Sequence, residues 1–447
     1  MKHLHFSLIL FACLAVIAVV ASAQDAATKK VHTENKDNWN QFRGPNGNGK
    51  SLRTNLPLEF NETNNIRWKT PIHDRGWSSP VVWGKQIWMT TGREDGTQLF
   101  AICVDLESGE IIHDIKVFDV ADPQLELPDM NSHATPTPII EEGRVYVHFG
   151  TYGTACLDTK SGKKLWERRD LNCDHRVRAG SSPIIDGDSL FLAFDGVDVQ
   201  FIVALDKKTG STLWKRDRGD AAMLRPEGIA DAEEAAIDGK NDNKKAFATP
   251  TIIEYEGKQQ LISPAAGVTY SYDPKSGEEL WRVHHPRRGW DSSCRPIFEH
   301  GLVYLTTGIA RHLLAVKPSG SGDVTETHVA WTVKGRTPQI PSPLVIDDLV
   351  FMVSDKGGVV SCLEAKSGEE VWRERLPSGG NYWASPVVSD GKIYISSMKG
   401  VVSVVAATRD FQLLAENLFE ASFIASPAIT DDALLLRSTT HLYCIAR

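Results

Sequence analysis

The sequence predicts an all-β fold, an eight-bladed β-propeller of four-stranded antiparallel blades, closed by an N-terminal strand that joins the last blade. Three observations predict it. An acid-x-x-Ser/Thr-Gly segment followed by a tryptophan recurs along the chain, as CLDTKSGKKLW from Cys156, SYDPKSGEELW from Ser271 and CLEAKSGEEVW from Cys362. A Ser/Thr-Pro pair followed by apolar residues stands upstream of each copy. The two signatures repeat at roughly forty to fifty residues, the range of propeller blades.

The chain opens with MKHLHFSLILFACLAVIAVVASAQ: a short basic start, an apolar run from Phe6 to Val20, and Ala21-Ser22-Ala23 as a small-x-small cleavage site. This reads as an export signal over residues 1–23, so fold reasoning starts after Ala23. A retained membrane anchor and a lipoprotein signal at Cys13 are the rival readings. Phe11 and the apolar run after Cys13 disfavour the second. No later segment is long and apolar enough to span a bilayer, so the mature chain is expected to have no membrane span. The expected location is periplasmic or extracellular.

Residues 24–64 read as a lead-in and 65–447 as the propeller. Trp68, in Asn65-Ile-Arg-Trp68-Lys, is a tryptophan strand with no blade before it, while the chain stops at His441-Leu-Tyr-Cys-Ile445, a third strand with no tryptophan strand after it. Pairing the two closes the ring and leaves no free sheet edge there.

The acid copies are Asp105, Asp158, Asp206, Asp273 and Glu364, each with Gly four residues on. The slot eight residues after the acid holds His113, Trp166, Trp214, Trp281 and Trp372. Degraded copies lead from Ala315 through a Gly/Ser-rich insertion to Trp331, and from Val404 to Leu414. The side chain of the acid accepts backbone N–H bonds in a turn, and Gly supplies the positive φ that closes it. The tryptophan starts the outermost strand, packing across to the next blade with its indole N–H on a backbone carbonyl. Repetition at blade spacing is what a structural role predicts, so these aspartates and tryptophans are assigned to the framework, not to catalysis.

The Ser/Thr-Pro signatures lie at Ser79, Thr137, Ser182, Thr249, Ser342, Ser385 and Ser426, and the fifth copy reads Arg295-Pro296 instead, giving eight. Cys103, Cys156, Cys362 and Cys444 occupy the third-strand position that Ala204 and Ala315 hold elsewhere. Facing sheets are about 10 Å apart, too far for a disulfide, so these four are expected to be reduced and buried. Cys173 and Cys294 fall on predicted loops.

The A-x-D-x-x-[ST]-G-x-x-x-W repeat with its A-[ST]-P partner resembles the pyrroloquinoline-quinone-type β-propeller repeat, over Trp68 to Arg447. Upstream, Trp39-Asn-Gln-Phe-Arg-Gly-Pro45 resembles the W-x-Q-F-R-G-P lead-in of exported bacterial members. The resemblance implies calcium- and quinone-dependent alcohol or sugar dehydrogenases on one side. On the other it implies propellers without known catalysis, such as the lipoprotein scaffold of the outer-membrane β-barrel assembly machinery. Fold membership does not choose between them.

The connections from outermost to next innermost strand, and from second to third strand, emerge on one face of a propeller. They carry His73, Arg75, Trp77, His133, His175, Arg176, Arg178, Arg288, Trp290, Arg295, Arg336 and Trp383, with Arg93, Arg311 and His312 from the second set. From these, Trp77, His133, Arg176, Arg178, Arg288, Arg295, Arg336 and Trp383 form the candidate ligand-binding set. A chain of net charge −8 that gathers cations on one face favours an anionic ligand there, while the acidic balance argues against a general nucleic-acid binder. Arg295 stands out because it replaces a small residue where side chains crowd the axis. An insertion from Gly219 to Phe247 reads as a short helix and loop over the same face, a lid or a partner-binding arm.

No two cysteines are adjacent, as the family's alcohol dehydrogenases require, and no P-loop, dinucleotide fingerprint, zinc spacing or nucleophile elbow occurs. No catalytic residue and no metal ligand are assigned. The expectation is an exported, monomeric binding scaffold for an anionic ligand or an envelope protein. The alternative is a dehydrogenase using pyrroloquinoline quinone and calcium, with Arg176, Arg178 and Arg295 on the tricarboxylate. A pure assembly scaffold is a third reading, marked by an apolar patch on the outer blade edges.

Overall fold

The computed structural model describes residues 38–124, 130–219, 244–286 and 293–447. Eight antiparallel sheets follow one another along the chain and make an eight-bladed β-propeller. Blade 1 runs Val81–Trp83, Gln86–Gly92, Gln98–Asp105 and Ile111–Asp119, from the axis outward. Blades 2 to 7 repeat that order, beginning at Ile139, Ile184, Thr251, Ile297, Leu344 and Val387. Blade 8 takes Ala428–Ile429, Ala433–Arg437 and His441–Ala446 from the C-terminus and Ile66–Pro71 from the N-terminus. Trp68 lies opposite Cys444 in that last pairing, so the closure expected from the two chain ends is the one observed.

Two blades carry a fifth strand. Gly322–Asp323 adds parallel to the outer edge of blade 4, where the Gly/Ser-rich insertion of blade 5 reaches back, and Lys50–Ser51 adds parallel to the innermost strand of blade 7.

The core lies between blades. One apolar cluster joins blades 1 and 2 through Trp88, Leu99, Val145 and Val147, and comparable clusters fill the following interfaces. The largest spans blades 7, 8 and 1 and takes in Trp39, Leu56 and Phe60 of the lead-in, so the seam of the ring is packed by residues that precede it.

The repeat residues knit these interfaces. Asp105 Oδ1 accepts from the N–H groups of Glu107 and Ser108 at 2.9 and 2.8 Å, and Gly109 closes the turn at φ 75°. The indole of Trp68 donates to Leu106 O in that turn at 2.9 Å. Trp166, Trp214, Trp331 and Trp372 reach the next blade in the same way, onto Lys207, Pro274, Ala365 and Thr408. Trp281 departs from the rule and donates to Gln260 Oε1 of its own blade at 2.8 Å, because the blade 5 turn it would meet is replaced by the insertion; Gln260 passes the link on to Pro318 O. Small third-strand residues make room for these rings: Cys156 lies opposite Trp166, Ala204 opposite Trp214 and Cys362 opposite Trp372. All six described cysteines are buried and none is in a disulfide. Burial raises the thiols of Cys156 and Cys362 to about 11 and about 12.

Candidate functional site

At the head of each innermost strand the signature hydroxyl meets its neighbour. The N–H of Ser79 donates to Thr137 Oγ1, that of Thr137 to Ser182 Oγ and that of Ser182 to Thr249 Oγ1, each at 2.9 Å. On the far side the chain resumes from Arg295 N to Ser342 Oγ at 3.0 Å, then Ser342 to Ser385 and Ser385 to Ser426, both at 2.9 Å. A belt of hydroxyls thus rings the axis. Each acceptor hydroxyl keeps its own proton for donation.

The lead-in fills the channel below that belt. It starts at the face of the turns, where Asn38 Oδ1 accepts from Gly84 N at 2.8 Å, and passes Trp39 and Asn40 carbonyls to the N–H groups of Val82 and Ile140. Arg43 is buried at the axis, 1% exposed, and donates to the carbonyls of Asn48, Ser342, Pro343 and Pro386. Arg295 donates from above to Phe42 O at 2.7 Å and Gln41 Oε1 at 3.0 Å. Burial lowers both guanidinium groups to about 9, which leaves them charged at neutral pH. The segment then returns to the turn face, where Lys50 pairs with Glu299 at 2.5 Å.

Above the belt opens a funnel of about 270 Å³ on the loop-rich face. Phe42 of the lead-in contributes to it from below, and Ser79, Thr137, Ser182, Thr249, Ser385 and Ser426 line it from the belt. Its walls include Trp77, Val177, Phe247, Ile340, Trp383 and Ile424. Met130 and Ile309 also line it, each more than a third exposed. No Arg, Lys, His, Asp or Glu occurs among the described lining residues. The indole N–H of Trp77 is buried and has no partner among the described residues.

Charged groups sit behind the wall. Arg178 donates to Gln124 Oε1 at 3.0 Å and to Tyr152 Oη at 3.1 Å, and lies 3.1 Å from His133 Nε2. Burial, then that guanidinium, lowers His133 to about 4. Further round, Lys245 donates to Ala246 O at 2.9 Å, lies 3.3 Å from His175 Nδ1, and stacks its ammonium over the Phe247 ring. Burial lowers Lys245 to about 8 and, with the Lys245 charge, holds His175 well below the usual imidazole range.

Of the sequence-predicted set, Trp77 and Trp383 line the funnel. His133 and Arg178 pair with each other behind it. The Arg176 carbonyl accepts from Gln124 Nε2. Arg295 points below the belt into the lead-in, and Arg336 is on the surface beside Glu370 at 3.3 Å. Arg288 lies outside the described residues, as does 220–243 of the long insertion. Of the cations expected to make the face attractive to anions, Arg178 and Arg295 have internal partners. Sequence reasoning missed Arg43, Phe42 and Phe247. The Phe42-Arg43-Gly44-Pro45 string was the available signal for the first two, but nothing local says that it docks at the axis.

Among the described residues, none assembles a set that fits the quinone and calcium that the resemblance implies. A tricarboxylate needs cations, and the described funnel lining has none; Arg178 and Arg295 are engaged elsewhere. Calcium needs converging carboxylates, and no group of three or more His, Cys, Asp or Glu suited to a metal occurs among the described residues.

Fold and site together define a ring-closed propeller of pyrroloquinoline-quinone-like repeats, its stem plugged by its own lead-in. The chain belongs to the family described as outer membrane protein assembly factor BamB, whose model matches residues 60–225 and 200–447. It is 26% identical over 259 residues to tetrathionate hydrolase of Acidithiobacillus ferrooxidans, an alignment covering 49% of each. It is 28% identical over 152 residues to quinoprotein ethanol dehydrogenase of Pseudomonas aeruginosa, covering 32% of this chain and 22% of the dehydrogenase. The chain thus spans half or less of the length of these relatives. Among solved structures, BamB from Moraxella catarrhalis superposes with a TM-score of 0.56 at 12% identity, covering 85% of this chain and 99% of that one. Quinohemoprotein alcohol dehydrogenase from Comamonas testosteroni gives 0.66 at 11%, covering 93% and 82%. At these identities the structures share the fold alone.

Proposed function

We propose that the protein is an exported binding scaffold that holds a ligand, or the end of an envelope partner, in the funnel on its loop-rich face. The observation that carries this is the funnel itself, an uncharged described lining of two tryptophans, aliphatic side chains and hydroxyls above a sealed stem. Similarity to a scaffold family supports it. The reading includes export by residues 1–23, which cell fractionation of the tagged chain checks.

Titration of the purified mature chain with a panel of anionic, neutral polar and apolar small ligands, followed by tryptophan fluorescence and thermal shift, tests it. A saturable response lost in the Trp77→Ala/Trp383→Ala double variant supports the funnel as the site. Responses unchanged by that variant, or none, oppose it. Incubation with pyrroloquinoline quinone and calcium is expected to give no dye reduction with alcohols or sugars; turnover would install the dehydrogenase reading instead.

A second reading, assembly through the blade edges, is favoured by one observation. The outermost strands of blades 1, 2 and 3 expose Ile111 and Ile112, Leu165 and Leu213, each more than 40% exposed. Exposed apolar side chains on successive edges are where a partner's surface would pack. Cross-linking from cysteines placed at 165 and 213 distinguishes edge contact from funnel contact.

A further inference from the structure

We infer that the funnel takes an uncharged pyranose ring, free or at the end of a glycan. The inference rests on the binding reading above and names its ligand class.

Three features of the cavity converge on it. Size comes first. About 270 Å³ is just below the roughly 300–1,000 Å³ that drug-sized ligands occupy, so one small ring system fits and a helix or folded segment does not.

Charge comes second. No ionisable side chain occurs among the described lining residues, so a neutral ligand asks for no countercharge from them. The described cations packed behind the wall have other contacts: Lys245 lies over the Phe247 ring and donates to Ala246 O, Arg75 lies over the Trp77 ring, and Arg178 donates to Gln124 and Tyr152.

The division of the lining comes third. Trp77 and Trp383 offer aromatic faces, and Phe247, Ile340 and Ile424 add aliphatic and aromatic wall. The belt below offers Thr137, Ser182, Thr249, Ser385 and Ser426, each already accepting a backbone N–H and each retaining a hydroxyl proton. A purely apolar ligand would cover those hydroxyls and leave them unmet. A ligand polar all round would waste the tryptophans. A pyranose has C–H faces that pack on an aromatic ring and a rim of hydroxyl groups that both donate and accept.

The test uses the purified mature chain and saturation-transfer NMR with isothermal titration. The probes are methyl glucopyranoside, methyl galactopyranoside and N-acetylglucosamine as single rings, neutral oligosaccharides as glycan ends, galacturonate as the charged counterpart, and indole as the apolar one. The expected result is saturable binding of a neutral pyranoside, weakened roughly tenfold by Trp383→Ala, which removes one stacking face. Trp77→Phe keeps a ring in the wall and is expected to weaken it less than Trp383→Ala does, with thermal stability retained. Tighter binding of oligosaccharides than of single rings assigns a glycan end; equal binding assigns a free sugar. Tryptophan-dependent binding of indole or galacturonate with no neutral pyranoside bound overturns the inference and leaves the scaffold reading standing. Absence of any tryptophan-dependent binding overturns both.

Discussion

Arg295 Nη1 donates to the carbonyl of Phe42 at 2.7 Å, joining the head of an innermost strand in blade 5 to a lead-in 253 residues earlier in the chain. Seven blades put a hydroxyl at that head; this one puts a guanidinium there and uses it to hold the plug. Gly47 completes the fit, since a Cβ there would come within 2.2 Å of the Arg295 guanidinium.

Arg295→Ser restores the belt residue of the other blades but releases Phe42 and Gln41. The expected outcome is a folded protein with a small loss of melting temperature and faster proteolytic cleavage within residues 38–51. Arg43→Ala is expected to be worse, about 3 kcal/mol or more, because four carbonyls lose a charged donor at a buried site. Urea denaturation and limited proteolysis of the two variants check both. Equal cleavage rates in Arg295→Ser and wild type would remove the clamp from the account.

Glycines of the framework turns test the interlock. Gly109 has φ 75°, and a Cβ there would stand 2.6 Å from a ring carbon of Trp68. Gly187 has φ 55° and open space around the same point. Gly187→Ala therefore bears only the left-handed backbone cost, about 1 kcal/mol. Gly109→Ala adds a collision at the ring seam and is expected to cost about 3 kcal/mol. Denaturation midpoints of the pair, with unchanged m-values, measure the difference.

Stability should also fall on the acid side. Burial holds His133 at about 4 and His148 at about 3, and lowers His175 further than its ordinary range, while all three return to about 6.5 on unfolding. Protons then bind the unfolded chain first. The contribution is complete above pH 6.5 and drains away as pH falls toward 4 and 3. Lys245 acts in a separate window: held at about 8 when folded against its ordinary 10.5, it adds stability as pH rises between those values. Melting temperature measured from pH 4 to pH 10 checks the signs, and Lys245→Met should flatten the alkaline limb.

The framework was legible in the sequence because it repeats. Asp105-to-Gly109 and its copies, the tryptophans and the signature prolines recur at blade spacing, so each copy supports the others, and the unmatched strands at Trp68 and Leu442 fixed the closure. The funnel was half legible: Trp77 and Trp383 each lie three residues before a signature proline, at the mouth of the axis, and both line it. Two of the arginines were not legible, since a type and a loop position do not reveal which way a side chain turns. Arg178 turns back to Tyr152 and Arg295 turns down to Phe42. The plug was not legible because its partners, from Val82 to Pro386, are hundreds of residues apart and are contacted through main-chain atoms that carry no sequence signature.

Thiol chemistry gives a last prediction. Cys103, Cys156, Cys362 and Cys444 are third-strand residues; Cys103, Cys156 and Cys362 lie opposite His113, Trp166 and Trp372, and Cys444 lies opposite Trp68. Cys173 and Cys294 are buried as well, and Cys294 faces the carbonyl of Pro341 at 3.3 Å. Burial raises every one of these thiols, Cys294 and Cys444 to about 12, so little thiolate forms at neutral pH and reagent has no path to it. In the native mature chain these thiols are expected to resist a thiol-reactive dye, and all six to react once the protein is unfolded, with the intact mass showing no loss of hydrogens to disulfides. Fast labelling of Cys173 before unfolding would mean that the wall holding His175 and Lys245 opens, and the burial argued for that cluster would have to be given up.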